Sequence, residues 1–251
     1  MSSYPRQGDP RVKLEWANDH IGQLDRRIVE FVNGGACKIV EETDAQTGEA
    51  VTRVNFTIPL PTDIPCLAGD ILHNLRAALD HLMYRLLPPT TDVQEQRRRA
   101  FPIGRDGQHY QNGERSRRMQ ALRPDLTQRI DQMEPYQGGR GHAIWQLHEL
   151  NVIDKHRLLL TVGLASHHVW RLPTLSPVGI GIFRRRSKTV VLEHRASVPD
   201  SLVEPRTGNA TITIAINEPS IVPVRPLVPA LKDFSASSKA SSPCLTTFRD
   251  S

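Results

Sequence analysis

Two residue types that can handle a phosphodiester stand close together in the stretch 70–87: Arg76 and His81, with four residues between them. A neutral imidazole abstracts a proton near pH 7. A guanidinium meets phosphate oxygens in bidentate geometry. His73 and Asp80 lie within the same stretch, and 142–162 adds His148, Glu149, Asn151, Lys155 and His156. Such donors also bind metals, but His148 and His156 fall about 80° apart on a helical wheel. No clean i, i+4 His/Glu pair occurs, so no metal site is predicted. A Walker A loop, a G-x-S-x-G elbow, an H-E-x-x-H pair and an EF-hand loop are all missing from the sequence, and no cofactor is predicted.

These residues need helices to hold them. At about 100° per residue, Ile71, Leu75, Ala78, Leu79, Leu82, Met83 and Leu86 form one broad apolar arc. Asp70 follows Gly69 as a helix-start signal, and Pro88-Pro89 stop the run. One edge of the arc carries His73, Arg76 and Asp80; the other carries Asn74, His81 and Arg85. Arg76 and His81 are therefore about 140° apart. The 142–162 stretch is apolar nearly all round, as a central helix is. Its stripe of His148, Asn151 and Lys155, with Glu149 and His156 beside it, needs polar partners when buried. The sequence predicts that this stripe faces a polar edge of the 70–87 helix.

The Arg-x4-His spacing resembles the motif of the HEPN superfamily, helical proteins that include metal-independent ribonucleases acting as paired protomers. The resemblance implies that His81 is the acid or base at a ribose 2′-OH, that Arg76 steadies the phosphate, and that the partners are RNA and a second copy of the chain. The phrases Asn-Leu-Arg-x-x-Leu-Asp-His and Leu-His-Glu-Leu-x-x-Ile-Asp-Lys-His-Arg also resemble a family of uncharacterised bacterial proteins, which implies no activity. The alternative needs no catalysis. Arg76 and Asp80 are i, i+4 and can pair, His73 can join them, and His81 can bond to the central helix. The chain is then a binding or interaction module whose polar helix residues are structural.

The rest of the chain supports an α+β fold, a helical core packed with an antiparallel sheet. Helices are predicted at 12–32, 70–87, 117–134 (interrupted at Pro124) and 142–162, and strands within 37–58 and 167–217 as parts of one sheet. Residues 184–188 read as a hairpin turn. One domain is expected over 1–234, followed by a disordered, serine-rich tail at 235–251. The 251 residues carry a net charge of +5. Between Arg97 and Arg118, seven arginines face two acids, an excess equal to the whole net charge. Such a run either meets phosphates or sits in solvent. Three scattered cysteines, no signal-like N-terminus and no membrane-length apolar run predict a cytoplasmic protein with no membrane contact.

Overall fold

The computed structural model describes residues 9–43, 50–159, 161–169, 186–192 and 210–241. The fold is α+β. Helix α1 (Pro10–Phe31) opens on Asp9, whose carboxylate accepts from the Arg11 N–H at 3.0 Å, with Pro10 at the first helical position. Its Leu14, Ala17, Ile21, Leu24, Ile28 and Phe31 are buried at helical spacing. Gly35, at φ 78°, supplies the left-handed residue that turns the chain out of the helix. The hairpin β1 (Cys37–Thr43) and β2 (Ala50–Phe56) follows, antiparallel, with Cys37 opposite Phe56.

Helix α2 (Asp63–Leu86) begins seven residues before the predicted start. Pro65 and Gly69 read as breakers in sequence. In the fold Pro65 sits in the first turn, where its missing N–H leaves no bond unmade. Helices α1 and α2 are antiparallel, tied at both ends by Arg27–Asp63 at 2.7 Å and Arg85–Asp9 at 3.6 Å. Between the ties Leu72, Leu75, Leu79 and Met83 are completely buried, each worth about 1.5–3 kcal/mol relative to exposure.

A connector leads on through α3 (Val93–Arg98), the single turns α4 (Gly107–His109) and α5 (Ser116–Arg118), and α6 (Pro124–Met133). The predicted 117–134 helix is thus two pieces, and Pro124 starts the second. Helix α7 (His142–Asp154) stops eight residues short of its predicted end. The apolar run after it is a turn and then a strand, β3 (Thr161–Val169). A short apolar run suits a buried helix or a buried strand equally, so its periodicity does not distinguish them.

Strands β3, β4 (Arg186–Leu192), β5 (Ala210–Glu218) and β6 (Val222–Pro226) form an antiparallel sheet in the order β4-β3-β5-β6. The early hairpin is a separate two-stranded sheet, which corrects the expectation of one sheet. Arg186 to Lys188, predicted as a turn, pair with β3 instead. The parts of the predicted 167–217 strand region at 170–185 and 193–209 lie outside the described residues. Helix α8 (Leu227–Ala240) extends through Ser235, where the tail was predicted to begin. Ser235 Oγ donates to Asn18 Oδ1 at 2.7 Å, whereas Ser238 Oγ is buried with no partner among the described residues. Ile214, Ile216 and Val222 of the sheet join the helices and α8 in one continuous core.

Candidate phosphate-binding cleft

Arg76 is the junction of α2, α7 and the connector. It is 8% exposed, and each of its three nitrogens donates within the chain. Nε donates to His148 Nδ1 at 3.3 Å, one Nη to Asp80 Oδ1, and the other to the Phe101 carbonyl at 3.4 Å. Asp80 Oδ1 accepts a second bond, from the Phe101 N–H at 2.9 Å. The apolar anchor Phe101-Pro-Ile103 is thereby pinned to α2. Burial works against the Arg76 charge, and Asp80 restores part of what burial removes. The same contact sets the chemistry of His148. With Nδ1 accepting, the neutral ring carries its proton on Nε2. Burial first, then the Arg76 charge, push its pKa down to about 4. His148 is a neutral donor at pH 7.

Above this junction is a cleft of about 190 Å³ walled by Arg76, Arg105, His109, Arg118, Trp145, His148 and Glu149. Burial pushes the Glu149 carboxyl above its ordinary range. Trp145 Nε1 is buried with no acceptor among the described residues. A larger cavity of about 360 Å³ lies alongside, lined by Arg98, Arg99, Arg117 and Arg118 among others. Arg118 borders both. Glu114 accepts from Arg117 and from Arg118, and these charges hold its carboxyl low against the effect of its burial.

The connector's charge is more balanced than its sequence window suggests. Arg99 pairs with Glu95, Arg105 with Asp106, Arg115 with Asp131, and Arg117 and Arg118 with Glu114. Glu95 and Asp131 lie outside the 97–118 window, so counting inside it misses them. Among the described residues the surplus is one Glu114 carboxylate shared by two guanidiniums, with Arg97 and Arg98 exposed and in no ion pair and Arg98 on the cavity wall.

The structure brings together Arg76, Asp80 and His148, the predicted meeting of polar edges. His81 stands on the other edge of α2. There Asn74 accepts from Lys13 Nζ at 2.9 Å and Arg85 faces Asp9, both on α1. His81 Nδ1 is buried without a partner among the described residues. His73 is exposed beside Asp154, whose carboxyl is raised by burial and by Asp70. That carboxylate rests against Gly69, where a Cβ would fall 2.3 Å from its oxygens. Asn151 is buried, but Lys155 and His156 are exposed. The buried stripe predicted for them ends with the helix at Asp154. His109 and Trp145 were not legible as cleft residues, because only folding of the connector brings His109 opposite α7.

Among the described residues no group of His, Cys, Asp and Glu is placed to hold a metal ion, and no helix is long and apolar enough to cross a membrane. Comparison with protein-family models, with curated proteins and with solved structures finds no match.

Proposed function

We propose that this protein is a non-catalytic binding module for phosphate-bearing chains, RNA foremost, and that it works in the cytoplasm. The observation that carries the reading is the pair of adjoining cavities sharing Arg118, walled by six guanidiniums (Arg76, Arg98, Arg99, Arg105, Arg117 and Arg118). Guanidiniums match phosphate oxygens in geometry and charge. The neutral Nε2–H of His148 adds a donor that needs no counter-ion. Arg76 forms the floor, with three of its five N–H donors bonded within the chain.

The test is fluorescence anisotropy of a labelled oligoribonucleotide at several salt concentrations. Affinity should fall with salt at a log–log slope of roughly −0.7 per phosphate neutralised. Arg105→Glu, at a side chain 77% exposed, should weaken binding and lower the slope by about one or more phosphate contacts while leaving the fold intact. Absence of RNA binding at low salt refutes the reading.

A second reading, an HEPN-like metal-independent ribonuclease, draws on the Nδ1 of His81, which has no partner among the described residues. It requires a homodimer, because Arg76 and His81 of one chain occupy different edges of α2. It predicts RNA cleavage that His81→Ala abolishes, and unchanged cleavage in that variant ends it.

A further inference from the structure

Arg99 closes the larger cavity and differs from the other arginines there. Its side chain is 3% exposed. One nitrogen, Nη2, donates to both the Pro88 carbonyl and Glu95 Oε1, and the guanidinium lies 5.2 Å from the centre of the Tyr84 ring. Its Nε has no acceptor among the described residues. Buried N–H donors are ordinarily satisfied. Arg98, Arg117 and Arg118 stand around the same space. Of the nearby carboxylates, Asp92 and Glu95 line the same space, and each is already bonded within the chain. Asp92 caps α3 by accepting from the Gln94 N–H at 2.8 Å, Glu95 holds Arg99, and Glu114 holds Arg117 and Arg118.

We propose that this cavity seats the terminal phosphate monoester of an RNA chain, the following nucleotides passing Arg118 into the smaller cleft. A monoester fits the donor set better than an internal diester does. It carries nearly two negative charges and three free oxygens, whereas a diester carries one charge and two free oxygens. The volume of about 360 Å³ lies within the range of small-molecule pockets, about 300–1,000 Å³, and exceeds what a bare oxyanion fills. Leu87 and Ala121 supply an apolar wall for the body of the terminal nucleotide. The path past Arg118 rests on the RNA-binding reading; the seat is testable apart from it.

The experiment uses the full chain and labelled RNAs of one sequence ending in 5′-phosphate, 3′-phosphate or hydroxyls only, with uridine 5′-monophosphate as competitor. One phosphorylated end should bind about tenfold more tightly than the hydroxyl form, the size expected of one charge-assisted hydrogen bond. Arg98→Ala, at an exposed position, should weaken binding of the phosphorylated RNA several-fold more than that of the hydroxyl RNA, removing most of that preference, without changing the melting temperature. Equal affinity of all three RNAs overturns the seat and leaves the grip on the backbone standing. If no RNA binds while uridine 5′-monophosphate does, the backbone reading falls and the monoester seat remains.

Discussion

Replacing Asp80 by alanine tests the junction most directly. One oxygen of Asp80 serves both the Arg76 guanidinium and the Phe101 N–H. Its loss leaves a cation that is 8% exposed with only a neutral imidazole and a carbonyl. Removing one partner of a buried ion pair costs about 3–5 kcal/mol. The Asp80 side chain is 35% exposed, so water can partly replace it, which places the cost at the low end. The unpaired Phe101 N–H adds about 1 kcal/mol. The expected loss is about 3–4 kcal/mol, or roughly 10 °C in melting temperature for a chain of this size. Urea denaturation at pH 7 measures it. Asp80→Asn keeps an acceptor for Phe101 and should lose about half as much. The double variant Arg76→Met/Asp80→Asn removes the stranded charge and should be more stable than Asp80→Ala alone. An Asp80→Ala protein within 1 kcal/mol of wild type, on the scale of a single neutral hydrogen bond, refutes the view that Arg76 depends on this carboxylate.

Two further outcomes follow from the same geometry. His148 is held at about 4 in the folded chain against an ordinary 6.5, so the unfolded chain binds the extra proton between those values. Its contribution is therefore intact above pH 6.5 and is lost as pH falls toward 4, by about 3 kcal/mol. Glu149 and Asp154, raised by burial, act with the opposite sign near the acid end, so the measurement is the difference between wild type and His148→Gln across that window; parallel curves refute the assignment. Gly69→Ala should gain less than the roughly 1 kcal/mol by which alanine favours a helix over glycine, because the added Cβ forces the Asp154 carboxylate to swing away. Gly69→Ala/Asp154→Ala should rise above Gly69→Ala, and a single variant stabilised by the full amount of about 1 kcal/mol disproves the tight contact.

The sequence was informative where one periodicity dominated. The buried face of α2 contains the predicted arc, and the polar edges of α2 and α7 do meet, at Arg76 and His148. It was uninformative where local signals conflict with context. Pro65 and Gly69 look like breakers but are harmless at a helix start and beneath a carboxylate. The run after Asp154 has no period that separates strand from helix. Ser235 and Ser238 look like tail composition, yet they are buried on α8. Pairing is the least visible property of all. The acids that neutralise the connector's arginines include Glu95 and Asp131, which only the folded chain brings to Arg99 and Arg115.

The Arg76 junction also governs how the cleft can move. Its bonds reach 25 residues along the chain to Phe101 and 72 to His148. The connector anchor cannot lift without breaking the Phe101 bonds to both Arg76 and Asp80 and opening the buried ion pair to water. The Phe101 amide should therefore exchange its hydrogen only when the whole core opens. A floor that breathes with the core cannot reshape itself around a ligand. Adaptation to different ligands falls to the exposed guanidiniums at the rim, Arg98 and Arg105, which swing on long side chains above a rigid base.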